Sequence, residues 1–178
     1  MITKLDKKRL GNILLREIED GDYLDYFQIG RDNEVCKYVN WGPFKKPCEA
    51  LYAIQEIFDK RPLIDELPKG YAIILDNHMI GMIDYHSENK KFNSIEIGYF
   101  LKREYWGRGI MRKCVSYMVN LAFSLGFSKV VLGSFKDNLR SIRLIESLGF
   151  HYEYQVVDDL GDGKLYLARY YAKYENEE

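Results

Sequence analysis

The chain has no run of apolar residues approaching the roughly 20 that a membrane helix needs. Its opening, Met1-Ile-Thr-Lys-Leu-Asp-Lys-Lys-Arg9, lacks the apolar centre of a signal peptide. No membrane partner is expected, and the cytoplasm is the expected compartment. Cysteine is scarce: Cys36, Cys48 and Cys114 are odd in number, widely spaced and without metal-ligand spacing. They read as reduced cytosolic thiols, and no metal is expected. Cys114 falls on an apolar helix face, the setting of an inert buried thiol. An excess of one charge is also missing, since 26 basic and 27 acidic side chains leave a net charge of −1. That balance carries no footprint of a nucleic-acid partner. No repeat, low-complexity tract or Pro/Gly/Ser-rich linker divides the chain. Its 178 residues are therefore read as one domain, 1–178, large enough to bury a core without disulfides.

Aromatic residues are plentiful, with 15 Tyr, 9 Phe and 2 Trp, enough for a stacked or enclosed ligand site beside ordinary core packing. The apolar pattern predicts a first strand over residues 12–18. Asp20 and Asp22 are candidate caps for a helix through Tyr23, Leu24, Phe27 and Ile29. Pro47 suits the first turn of a second helix, whose apolar face would be Leu51, Ile54, Ile57 and Phe58. Residues 71–75 and 79–85 flank Asp76-Asn77-His78 as a hairpin. Ile95, Ile97, Tyr99 and Leu101 alternate on a fourth strand.

A third helix follows, with Ile110, Cys114, Val115, Met118, Leu121, Ala122 and Leu125 at helical spacing and Gly126 as its stop. Residues 129–135 form a fifth strand. Asp137 or Asn138 caps a short helix using Ile142, Ile145 and Leu148, ended by Gly149. Two last strands flank Gly161-Asp162-Gly163. The sum is a mixed α/β (α+β) chain: about seven strands in one mostly antiparallel sheet, with about four helices.

The most informative stretch is Tyr105-Trp-Gly-Arg-Gly-Ile110, between the fourth strand and the third helix. Glycines in such a turn let backbone N–H groups crowd around an anion without a Cβ in the way. The helix N-terminus adds unpaired donors and partial positive charge, which together make a phosphate cradle. A dinucleotide-binding oxidoreductase fits poorly. The turn follows a fourth strand instead of opening a first parallel βαβ unit, and it lacks the full Gly-x-Gly-x-x-Gly spacing.

With this turn in place, the chain resembles the GNAT acetyltransferase superfamily over nearly its whole length. Within that superfamily it is most similar to the branch containing the ribosomal-protein N-terminal (RimJ/RimL-type) acetyltransferases. The likeness rests on Arg9-Leu10, Leu14-Leu15-Arg16, the Asp20/Asp22 region, Trp41-Gly-Pro43, Ile80-Gly81 and Glu96-Ile-Gly-Tyr99. Its strongest elements are the glycine turn, Asn138-x-x-Ser141 and Leu148-Gly-Phe150.

The resemblance implies a sheet splayed between the fourth and fifth predicted strands and an acetyl-CoA-dependent N-acetyltransferase, with acetyl-CoA as cosubstrate. It further implies that Gly107, Arg108, Gly109, Ile110 and Met111 surround the pyrophosphate through their backbone. Phe100, Leu101 and Lys102 would pair with the pantetheine arm as a strand edge. Two readings stand for the Arg108 side chain, charge toward the phosphates or solvent. At Glu104 the broader family usually has Gln or Arg, and an ionised acid cannot donate to phosphate.

Acetyl transfer to an amine needs an oxyanion donor, which a backbone N–H near Leu101 can supply. It also needs a base, acting directly or through water. Glu96 is the first candidate for base or amine anchor, its alternative being a structural ion pair. His86 is the second, against a plain surface or core-edge histidine. Many members place a Tyr at the position of Ile145 to protonate the leaving thiolate. In the resembled branch the Ser141 hydroxyl can take over by hydrogen-bonding the sulfur, stabilising the thiolate more readily than protonating it; its alternative is a bond to the preceding helix turn.

Asn138 is both helix cap and implied coenzyme contact. Trp41, Tyr85 and His86, with Phe44 and Tyr154, would line the acceptor entrance. The implied acceptor is a primary amine, either a protein N-terminus or a small molecule, and a homodimer fits the same reading. The competing reading is a catalytically weak acetyl-CoA-binding sensor on the same fold, motivated by the missing Tyr and by Glu104.

Overall fold

The computed structural model describes residues 4–159 and 164–176. The expected turn at Gly161-Asp162-Gly163 lies outside them. Among the described residues eight strands pair in the order β1-β2-β3-β4-β5-β6-β8-β7, an open, mostly antiparallel mixed sheet flanked by helices. No helix among them is long and apolar enough to cross a membrane. The chain divides into two compact units. One is Tyr99–Met111 with the described part of residues 1–85; the other is His86–Gly98 with the described part of 112–178.

In the first unit a short strand β1 (Lys8–Leu10), absent from the sequence reading, pairs antiparallel with β2 (Ile13–Glu17). A 3-10 turn, Asp20–Asp22, leads into α1 (Tyr23–Gly30). Asp22 does not cap α1 as expected. Its carboxylate accepts from the Glu19 N–H at 2.9 Å and from both Arg16 guanidinium nitrogens at 2.8 and 2.7 Å, tying the turn back to β2. Helix α2 (Asn33–Cys36) is capped by Asp32, which accepts from the Glu34 N–H.

Helix α3 (Pro47–Ala53) begins at proline as predicted but widens into a π-helical stretch over Ile54–Phe58. The wider turn rotates the following residues off the α-helical register. Ile54 and Phe58 stay buried while Ile57 is 51% exposed, which corrects the expected apolar face. A short α4 (Arg61–Ile64) follows. Strands β3 (Tyr71–Leu75) and β4 (His78–Asn89) are joined by Asp76 and Asn77, both at positive φ, the conformation a two-residue hairpin turn requires. A core of Ile18, Tyr26, Ile29, Ile54, Phe58, Ala72 and Met82 backs this unit, and Trp41, Phe44, Phe100 and Trp106 pack against it.

Strand β5 (Ser94–Leu101) begins in the second unit and ends in the first. Its parallel ladder with β6 (Lys129–Phe135) runs over Ser94–Glu96 and Lys129–Val131. Helix α5 (Ile110–Ser124) buries Cys114, Val115, Met118 and Ala122, as its periodicity predicts, whereas Leu125, expected on the same face, lies past the helix end and is 46% exposed. Helix α6 (Leu139–Ser147) starts at Asn138, whose side chain accepts from the Ser141 N–H at 3.3 Å. Strands β7 (His151–Asp159) and β8 (Leu165–Tyr174) form the last hairpin, and β8 also pairs with β6.

Candidate active site

The glycine turn has the conformation its sequence demands. After a 3-10 turn over Arg103–Tyr105, Gly107 and Gly109 adopt φ of +74° and +72°. Side-chain-bearing residues pay a steric penalty there. Nothing lies within 4 Å of where a Cβ would stand on either glycine. The turn therefore presents bare backbone to open space immediately before the first residues of α5, Ile110 and Met111. An anionic group fits this arrangement: approach is unobstructed and the helix N-terminus supplies unpaired donors. Arg108 is exposed and lies over the Tyr105 ring, 5.2 Å from its centroid. Glu104 pairs with Lys102 at 2.6 Å, and that hydrogen bond raises the lysine pKa.

The end of β5 is held unevenly. The Lys102 N–H donates to the Ile80 carbonyl at 2.7 Å. The Phe100 carbonyl faces Gly81, where a Cβ would stand 2.5 Å from it. Both groups thus point to β4. By the alternation of a pleated strand, Leu101 turns its N–H and C=O away from β4. The Leu101 carbonyl accepts from the Trp106 indole Nε1 at 2.6 Å. Of the three residues expected to form a coenzyme-pairing edge, Phe100 and Lys102 commit these backbone groups to β4, and Leu101 alone turns outward.

Phe100 anchors this strand end in an aromatic cluster. Its ring stacks on Tyr26 at 5.6 Å and meets Trp41 edge-on at 4.8 Å. Trp41 also stacks on Phe44 at 5.6 Å. Gly30 makes room for this packing, since a Cβ there would stand 2.5 Å from the Phe44 ring. Trp41, expected at the acceptor entrance, is half-buried in this cluster. Tyr85, expected beside it, is fully buried and belongs to the core.

In the second unit Glu96 and His86 are brought together: Glu96 Oε1 lies 3.5 Å from His86 Nε2, and the Glu96 side chain is 19% exposed. The carboxylate lies over Gly133, where a Cβ would stand 3.2 Å from Oε1 and 3.1 Å from the Tyr170 ring. Tyr170 pairs with Gly133 across β6 and β8 and with Tyr154 across β7 and β8. The two tyrosines stack at 4.9 Å. Burial and the Glu96 charge raise the Tyr154 pKa. A row from His86 through Glu96 and the bare backbone of Gly133 to Tyr170 and Tyr154 results. Gly133 and Tyr170 escaped the sequence reading because only strand register places them beside Glu96. Ser141 lies in the first turn of α6, half-buried, and Ile145, at the position of the family tyrosine, is fully buried.

Residues 12–151 match the family model of the acetyltransferase (GNAT) domain. The chain is 31% identical over 140 residues to the uncharacterized N-acetyltransferase p20 of Bacillus licheniformis, covering 77% of this chain and 76% of that protein. Among solved structures it is similar to the RimL ribosomal L7/L12 alpha-N-protein acetyltransferase in complex with coenzyme A. That likeness has a TM-score of 0.83 at 18% identity and covers 95% of this chain and 98% of the other. It is also similar to the microcin C7 self-immunity acetyltransferase MccE in complex with acetyl-CoA and AMP, with a TM-score of 0.82 at 17% identity and 93% of each chain covered. At such identities the structural likenesses establish the fold. The sequence match over most of the chain establishes more: this protein belongs to the GNAT acetyltransferase family.

Proposed function

We propose that the chain binds acetyl-CoA and transfers its acetyl group to a primary amine by direct attack in a ternary complex. The observation that carries this reading is the pair of positive-φ glycines, Gly107 and Gly109, open on the side where side chains would stand and leading directly into α5. In this reading the backbone of Gly107, Arg108, Gly109, Ile110 and Met111 holds the pyrophosphate. Leu101, the outward-turned residue at the end of β5, serves the pantetheine arm and offers its N–H to the thioester oxygen. Acetyl-CoA supplies the activated acyl group.

Glu96 anchors the acceptor ammonium and receives its proton, passing it to water. His86, 3.5 Å away, adjoins that carboxylate. Asn138 caps α6 and contacts the coenzyme, and the Ser141 hydroxyl hydrogen-bonds the departing sulfur. The acceptor is a protein N-terminus or a small-molecule amine. The solved relatives include a ribosomal-protein acetyltransferase and a microcin self-immunity acetyltransferase, so the fold alone favours neither.

The second reading, a coenzyme-binding sensor of weak activity, draws on two observations. Ile145 is a core residue with no acid to offer, and Glu104 places a carboxylate beside the coenzyme turn. Thiol release from acetyl-CoA, measured across peptide N-termini, polyamines, aminoglycosides and amino sugars, separates the two. The enzyme reading predicts release that rises with one class of amine. Saturable binding with no amine-dependent release would select the sensor.

A further inference from the structure

We propose that Trp106 and Gly81 are positioning residues that aim the Leu101 amide at the thioester oxygen, an inference that rests on the functional reading above. Two consecutive planar peptide units set the direction of this amide. The unit joining Phe100 to Leu101 carries the Leu101 N–H at one end and the Phe100 oxygen at the other. That oxygen lies so close to Gly81 that any side chain at position 81 would stand 2.5 Å from it.

The unit joining Leu101 to Lys102 is held at both ends. Its N–H donates to the Ile80 carbonyl at 2.7 Å, and its oxygen accepts from Trp106 Nε1 at 2.6 Å. With one peptide pressed against Gly81 and the next gripped from opposite sides, the Leu101 amide between them has little freedom to swing. A preorganised donor loses nothing to reorientation as charge develops on the oxygen, whereas a swinging donor does.

Trp106 suits this task. Indole Nε1–H is a donor only, so the contact has one polarity. The ring is half-buried and packs against the core cluster that includes Tyr26, with Trp41 and Phe100 packed on the same cluster. Trp106 also immediately precedes Gly107 in the anion-holding turn, so the turn and the end of β5 are joined by one rigid side chain. Occupation of the turn and the aim of the amide are thereby mechanically linked within the first unit.

The test uses acetyl-CoA labelled with carbon-13 at the thioester carbonyl, bound to the wild-type protein and to Trp106→Phe. Difference infrared spectra report the hydrogen bond at that carbonyl, and calorimetry reports affinity. The wild-type complex is expected to show a carbonyl band shifted to lower frequency. Trp106→Phe should lose most of that shift at nearly unchanged affinity, and turnover with the best amine of the panel should fall about 10-fold, short of the loss from deleting an oxyanion donor outright. In the coenzyme-free variant the Lys102 amide should exchange with solvent faster, because its peptide is then held at one end only.

Should Trp106→Phe fold poorly, 3-benzothienylalanine at position 106 keeps the ring shape and replaces N–H by sulfur, with the same expected outcome. Wild-type Lys102 protection together with an unmoved carbonyl band, in a variant that binds acetyl-CoA, would overturn the positioning role alone. Failure of the wild-type protein to take up acetyl-CoA would overturn the functional reading and the aim together.

Discussion

Replacing Gly109 by alanine isolates the cradle from ordinary packing, because the structure supplies a matched control. Gly109 has φ +72° and Gly126, just beyond the end of α5, has φ +90°; neither has a neighbour within 4 Å of a would-be Cβ. Both substitutions therefore carry a backbone penalty and no steric clash. That penalty is about 1–2 kcal/mol for an L-residue held in the left-handed region. For a domain of this size it corresponds to a fall of ~2–8 °C in Tm, at ~2–4 °C per kcal/mol. Both variants should remain folded, since a typical domain holds about 5–15 kcal/mol of stability.

Their coenzyme affinities should part. The methyl at 109 enters the open space proposed for the pyrophosphate, and the strained turn re-aims its amides. An affinity loss of at least about 10-fold, or ~1.4 kcal/mol, is expected for Gly109→Ala and none for Gly126→Ala. Thermal unfolding and calorimetric titration with acetyl-CoA measure both quantities on each protein. If Gly109→Ala loses stability like Gly126→Ala yet binds acetyl-CoA like wild type, the phosphate cradle is refuted.

Ser141→Ala should lower turnover on the order of 10- to 100-fold while leaving acetyl-CoA affinity nearly intact, and it keeps the backbone N–H that donates to Asn138 at the start of α6. An unchanged rate where chemistry limits turnover would leave Ser141 a structural residue. Glu96→Gln keeps the side-chain shape but removes charge and basicity. Its deficit should be largest at low pH, where little acceptor amine is neutral, and should shrink as pH rises. A loss of stability without that pH rescue would mark Glu96 as structural.

Burial pushes the Cys114 thiol up to about 12 and the Cys36 thiol up to about 11, so their thiolate fractions grow only as pH nears those values. With Cys48 exposed, a thiol reagent at about pH 8 should label Cys48 quickly in the native protein and reach the two buried thiols only on unfolding. Rapid labelling of Cys114 in the folded state would contradict its core placement.

Features whose cause is local were legible in the sequence. Alternation in β5 marked Ile95 and Ile97 as buried, and both are. Helical spacing marked most of the core face of α5, and of the two candidate caps, Asp137 and Asn138, it is Asn138 that caps α6. The glycine turn was readable because glycine adopts such φ values without the penalty a Cβ carries.

Other features left no such local mark. Lys8-Arg9-Leu10 has no apolar alternation, yet it pairs with β2 across a two-residue connection. The π-helical stretch after α3 changes the helical period, so a reading at α-helical spacing misplaced Ile57. Tyr85 looked like an entrance aromatic because nothing in its neighbours discloses complete burial. The Gly133–Tyr170–Tyr154 row depends on the register of β6, β7 and β8. Trp106 is a different case: it lies five residues from Leu101, but the direction of its indole N–H is a property of the folded turn.

In the proposed reaction this chain moves an acetyl group from acetyl-CoA to an amine without first acetylating itself. The most direct measurement quantifies released coenzyme A thiol and N-acetylated amine in the same reaction, using the acceptor selected from the panel, while mass spectrometry follows the intact protein. Equal amounts of thiol and acetylated amine, with no acetylated protein at any time point, are the predicted result. Saturable acetyl-CoA binding with no acetylated amine, or an acetyl group lodged on the protein before it reaches the acceptor, would contradict it.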